Sequence, residues 1–261
     1  MTPGPTWIGV AWAGLPLAAA LALLAWRRLG QVGPMAIATA RLVLQMMLLA
    51  VVLRTIAAAS HPGLVLAIAL AMLATAAHAV GARQKRHRWE LRLQAFGAMA
   101  VGAVVVMAVS TRLSLQVEPW YAPLTVLPML GMILGNSVTA VALAAERFES
   151  DLRADRDLVE LRLTLGATSR QAATPALRSA VSAGLSPIIN NMMIAGIVAI
   201  PGMTTGQLLA GADVGEAIRY QILLYLGISA TVAISVLILL AIRLRRHFTP
   251  AHQLRREALD G

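Results

Sequence analysis

Six arginines (Arg147, Arg153, Arg156, Arg162, Arg170 and Arg178) and six acids (Glu146, Glu149, Asp151, Asp155, Asp157 and Glu160) fall between Glu146 and Ala180. The chemistry open to such a set is ion pairing and docking. Nothing in it, or elsewhere in the chain, resembles a catalytic triad or a paired acid–base site. Opposite charges recur four apart in Glu149/Arg153, Arg153/Asp157 and Arg156/Glu160, a spacing that supports a helix. Leu152, Val159 and Leu163 run among them as an apolar stripe. The spacing therefore predicts an amphipathic helix over Glu146–Leu165. Gly166 suits the left-handed position that ends a helix, and Thr168-Ser-Arg-Gln171 has capping-box spacing for a second start. Pro175 fits the first turns of that second helix or bends it. The island at 146–180 is either a solvated hairpin between two spans or a short helix presented crosswise to a partner.

The elements that must position it are apolar. The chain is 58% hydrophobic and 13% charged, with a mean hydropathy of +0.73, against roughly 45–50% and about 25% in soluble domains. This is the composition of a polytopic membrane protein. A span needs about 20 apolar residues, and seven stretches qualify: Trp7–Trp26, Met35–Ala59, Leu64–Val80, Ala95–Ser110, Tyr121–Ala145, Val181–Ile200 and Ile218–Ile242. The third and fourth are short. Nothing basic precedes the first and Arg27-Arg28 follows it, which argues against a cleavable signal. The expected fold is all-α, a bundle of about seven transmembrane helices forming one membrane domain over 1–261, with a basic tail at 243–261.

Charge placement sets the orientation. Of the 22 basic residues, 18 lie in alternate loops and the tail, against three (Arg54, Arg112, Arg219) on the opposite side. That asymmetry predicts an outside N-terminus and a cytoplasmic C-terminus. The formal charge of +10 therefore reports topology, and no nucleic-acid partner is expected. Cysteine is absent, which removes disulfides, thiolate metal sites and cysteine nucleophiles. The single lysine, Lys85, follows Ala-Arg-Gln, so the chain has no phosphate-binding loop. It is not expected to be an enzyme or to hold a cofactor. ATP and magnesium, if they drive it, belong to another subunit.

Polar groups at membrane depth are costly and mark helix contacts or pathways. Arg41 and Gln45, one turn apart, either line a pore or anchor two helices. Asn136 follows Gly131-Met-Ile-Leu-Gly135, a small-xxx-small pattern that permits close helix approach, and is either helix glue or pathway lining. Asn190 and Asn191 are adjacent, so at least one must meet a neighbour or an aqueous path. Met129, Met132, Met192 and Met193 are candidate soft-metal ligands or adaptable filler between helices. Asp213 and Glu118, expected outside, either offer a weak cation-release site or keep short loops soluble.

Glu160, followed six residues later by Gly166-Ala167-Thr168 and then Gln171-Ala, resembles the EAA-type coupling loop of ABC importer-like permeases. Leu161 and Arg162 stand where that motif has two alanines, and its downstream Leu-Pro is missing. Pro128-Met-Leu-Gly-Met-Ile-Leu-Gly-Asn136, Ile200-Pro-Gly-Met-Thr-Thr-Gly206, Leu209-Ala-Gly211 and Glu216-Ala-Ile-Arg-Tyr-Gln221 are similar to signature stretches of the Fet-type iron-export permease family, to which plant aluminium-tolerance permeases are related. The similarity runs from about Met35 to Leu254. It implies a homodimeric permease of the bacterial inner membrane that exports iron or a related metal ion. The resemblance further implies a separate cytoplasmic ATPase, engaged through Glu160, Gly166, Ala167, Thr168 and Gln171. The rival readings are a secondary transporter or channel without an ATPase, and a membrane scaffold whose basic tail binds anionic lipid.

Overall fold

The structure, a computed structural model, describes residues 6–28, 30–59, 61–82 and 88–255. Among them the chain is helical, with two isolated bridges and no strand. It divides into two units, Met1–Ala59 and Ser60–Gly261.

In the first unit, α1 (Trp7–Ala13) is capped by Thr6, whose hydroxyl accepts from the Gly9 amide at 3.2 Å. Gly14 then separates it from α2 (Leu15–Trp26), which carries a proline in its first turn, where no amide is needed. The third helix, α3 (Val32–Ala59), is apolar along most of its length and carries Arg41, Gln45 and Arg54 among its aliphatic residues.

The second unit is built from α4 (Pro62–Ala82) and α5 (Arg88–Val109), which is prolonged by a π-helical turn over Ser110–Ser114. The long α6 (Pro123–Ala154) leads into α7 (Arg156–Thr164) and α8 (Ser169–Ala172). Then follow α9 (Thr174–Ile194), α10 (Gly202–Leu209) and α11 (Val214–His247). Helix α5 starts seven residues before the expected Ala95, because the buried series Leu91, Ala95, Ala98, Gly102 and Val106 keeps helical spacing from the start.

Six helical segments among the described residues are long and apolar enough to cross a membrane: α1 with α2, α3, α4, α5 with its π turn, α6 and α11. The stretch expected as a span at Val181–Ile200 is built differently. Helix α9 begins earlier, at Thr174, and stops at Ile194, where the backbone closes a turn. The Gly196 amide there donates to the Ala199 carbonyl at 2.9 Å, with Gly196 at φ +79°. Arg178, Ser179, Ser182, Ser186, Asn190 and Asn191 make α9 too polar to count with the other six. Beyond the turn the chain keeps its course along α11. Ser229 donates to the Met192 sulfur at 2.8 Å, and Thr204 of α10 donates to Gln221 two turns earlier at 3.0 Å.

Small residues set the packing at the centre. A Cβ on Gly184 of α9 would lie 3.0 Å from both the Ala140 carbonyl and the Ala144 Cβ of α6, and 3.2 Å from Val236 of α11. Gly102 of α5 lies equally close to Ser235 and Thr231 of α11. Such sites let backbones approach where no hydrophobic force drives them together. Gly135, expected to serve this purpose, has no neighbour within 4 Å of its Cβ position.

Ion pairs fix the helix directions. Arg243 pairs with Glu149, and Arg246 with Glu90. The end of α11 thus meets the end of α6 and the start of α5, so α6 and α11 run parallel and α5 runs against them. The charged island sits at this basic end.

Candidate functional site

The island folds as two short helices on a shared turn. Helix α6 does not extend unbroken to Leu165. It stops at Asp155 (φ −100°, ψ 23°), and α7 starts afresh. Arg147 bonds Asp151 at 3.1 Å and Arg156 bonds Glu160 at 3.4 Å, both four residues apart.

The end of α7 is a Schellman turn. The Ala167 amide donates to the Arg162 carbonyl and the Gly166 amide to the Leu163 carbonyl, both at 3.0 Å, with Gly166 at φ +90°. Thr168 then caps α8 through a complete capping box. Its hydroxyl accepts from the Gln171 amide at 3.3 Å, and its own amide donates to Gln171 Oε1 at 2.8 Å. Gly166, Ala167, Thr168 and Gln171, four of the five expected coupling residues, therefore share one turn. Glu160 lies on the helix before it. Pro175 takes the first turn of α9.

The hairpin has an inner and an outer face. Leu152 and Val159 are buried, and Leu163 and Ala167 pack on the core. Arg162 Nη1 closes the hairpin by donating to the Ala172 carbonyl at 3.1 Å. The tail braces it as well. Phe248 is buried, and His252 Nδ1 lies 2.9 Å from the Ser169 hydroxyl. Residues 256–261 of the expected tail lie outside the described residues, as do Arg83, Lys85 and Arg86.

On the outer face Leu158, Leu161 and Leu165 are 44%, 53% and 79% exposed. Three leucines at i, i+3 and i+7 form one helical stripe. The sequence carries that spacing openly, interleaved with the inner stripe.

The expected pathway residues separate. Asn136 and Asn191 line one cavity of about 360 Å³ together with Gly135, Thr139, Gly184 and Pro187. Asn136 Nδ2 donates to the Met132 carbonyl at 2.8 Å, which leaves its carbonyl oxygen for the cavity. Asn190 is exposed on α9 with Ser182 and Ser186, a polar stripe four residues apart. Arg41 and Gln45 are exposed on α3 in the first unit.

Among the methionines, Met129 is buried in the core and Met132 packs against it, while Met192 faces Ser229 and Met193 is 72% exposed. Met129 and Met193 thus do not share one environment. Among the described residues no three His, Cys, Asp or Glu side chains converge as a metal cage.

Residues 7–248 match the profile of UPF0014, an uncharacterised protein family. The UPF0014 membrane protein slr1647 of Synechocystis is 34% identical over 95% of this chain and 96% of its own. The probable iron export permease protein FetB of Escherichia coli is 31% identical over 82% of this chain and 81% of its own. The protein ALUMINUM SENSITIVE 3 of Arabidopsis thaliana is 28% identical over 85% and 80%. No solved structure matches the chain.

Proposed function

The chain belongs to the UPF0014 family, and from that premise we propose that it is the membrane-spanning permease subunit of an ABC transporter exporting iron or a related metal ion. A separate subunit binds ATP and magnesium. The observation that carries this reading is the outer stripe Leu158, Leu161 and Leu165 on a hairpin whose inner face is locked to the helix core. An apolar stripe kept facing water at the basic end is a surface awaiting a protein partner.

The connections of the hairpin supply the coupling. Asp155 joins α7 to α6, and Ala173 joins α8 to α9. A push on the Gly166 turn is thus delivered to the two helices that hold Asn136, Thr139 and Asn191 around the cavity. The exposed stripe of Ser182, Ser186 and Asn190 on α9 would be costly against lipid. It supports a homodimer in which α9 faces the second copy across a polar path. Amide and hydroxyl oxygens are weak donors beside carboxylates, so the site suits a hydrated or chelated ion. The name of the Escherichia coli relative supports the cargo class.

The test is co-purification with a candidate ABC-type ATPase subunit from the same organism, followed by ATP-driven iron accumulation in inside-out vesicles. A stable complex whose ATP hydrolysis rises on association is the expected result. Iron movement without any ATPase would overturn the reading in favour of a secondary carrier.

A further inference from the structure

Away from the coupling hairpin, an apolar groove of about 420 Å³ opens between α4, α5 and α6. Leu66 and Leu70 of α4 and Val104 of α5 line it and are each half or more exposed. Its upper end is closed by Thr111, Arg112 and Trp120, and these three residues also line a second, polar cavity of about 510 Å³ with Gln116 and Glu118. The two cavities form one continuous surface, apolar below and charged above.

Arg112 lies 24 residues past Arg88 on one helical course, about 36 Å at 1.5 Å per residue. The hydrocarbon layer is about 30 Å thick, so Arg112 reaches headgroup level on the face opposite the basic end. The π turn at Ser110–Ser114 sets its direction, and its guanidinium lies 5.7 Å from the Trp120 ring. It makes no ion pair among the described residues. Glu118, on the same rim, likewise has none. A second lateral groove, of about 490 Å³ between α5 and α11, is topped in the same way by Arg219.

We propose that the first groove binds phosphatidylethanolamine, with one acyl chain along Leu66, Leu70 and Val104, the phosphate on Arg112 and the ammonium beside Glu118. The charges choose the headgroup. A purely anionic headgroup would gain Arg112 but meet the Glu118 carboxylate. A choline headgroup has no N–H to donate to that carboxylate. Only an amino-phospholipid satisfies both groups, because guanidinium–phosphate and ammonium–carboxylate bonds are charge-assisted, and Trp120 sits where interfacial aromatics do.

The test is native mass spectrometry of the full chain after equilibration with equimolar phosphatidylethanolamine, phosphatidylglycerol and phosphatidylcholine. Wild type should retain phosphatidylethanolamine over the other two, and Arg112→Gln and Glu118→Gln should each lower that retention about tenfold. Val104→Trp, which fills the groove from its exposed wall, should abolish it in a protein that stays monodisperse. Equal retention of the three lipids, or retention unchanged in all three variants, would overturn the proposal. So would Leu70→benzoylphenylalanine crosslinking to α1–α3 or to a second copy in place of lipid. None of these readouts depends on ATP or iron.

Discussion

Arg243 of α11 forms an ion pair with Glu149 of α6, and Gln94 of α5 reaches the same guanidinium at 3.5 Å. The arginine side chain is 2% exposed and that of Glu149 is 20%. Three helices are thus tied at the end from which the α7–α8 hairpin projects. Phe148 and His247, each one turn or less from the pair, meet edge to face at 5.7 Å between ring centroids.

Removing one member of a largely buried pair takes away the ion partner of the other, which costs up to about 3–5 kcal/mol. Arg243→Ala should therefore lower the thermal unfolding temperature in detergent sharply. Arg243→Met combined with Glu149→Leu should recover most of the loss, since both charges leave together. Arg246→Ala is the control. Its partner Glu90 is half exposed, and such pairs contribute about 0–1 kcal/mol. Equal losses for Arg243→Ala and Arg246→Ala would contradict the assignment of the first pair as the central tie.

Gly166 holds φ +90° with nothing within 4 Å of its Cβ position. The penalty for a side chain there is therefore one of backbone conformation, about 1–2 kcal/mol for an L-residue. Gly166→Val should cost more than Gly166→Asn, because asparagine tolerates the left-handed region. Membrane insertion and yield should stay normal for both. In the ATPase complex, Gly166→Val should lower the ratio of ion moved to ATP hydrolysed. An unchanged ratio would remove Gly166 from the coupling element.

Local chemistry decided which of these features could be read from the chain. The Gly166 turn and the Thr168–Gln171 box were legible because each is set by residues within five positions. The break at Asp155 was not, since the i,i+4 charges continue across it and no capping side chain announces it. Glu149 has a helical neighbour in Arg153, yet its ion pair with Arg243 spans 94 positions, beyond any periodicity. The Val181–Ile200 stretch misled for a different reason. Gly196-Ile-Val-Ala-Ile200 is as apolar as a helix interior, and hydropathy does not separate a turn from a helix in an apolar surrounding. Asn136 and Asn191 were visible as costly polar residues, but their shared cavity came only with the antiparallel packing of α6 and α9.

Two glycines separate stability from transport. Gly184→Leu must push against the Ala140 carbonyl and Ala144 at 3.0 Å, and overpacking of this kind costs about 1–3 kcal/mol. Gly135→Leu meets no such wall and projects toward the cavity that holds Asn136 and Asn191. Thermal unfolding should therefore fall for the first variant and stay within error for the second. Iron flux in vesicles should fall for Gly135→Leu even though its fold is intact. Wild-type flux in that variant would move the pathway away from this cavity.

The two faces of α7 give a contrast within one helix. Leu158, Leu161 and Leu165 point outward, and Val159, between the first two, is 2% exposed. Changing the three leucines to serine removes apolar area that faces water, so the isolated protein should keep its unfolding temperature or gain slightly. The same variant should lose the ATPase on co-purification, because the buried core of an interface carries most of its binding energy. Val159→Ser acts in the opposite sense. It buries a hydroxyl in an apolar wall and leaves a cavity, so stability should drop by about 1–3 kcal/mol while the outer face keeps its shape. Retention of the ATPase by the triple serine variant would show that the partner docks elsewhere, and the coupling role of this hairpin would fall with it.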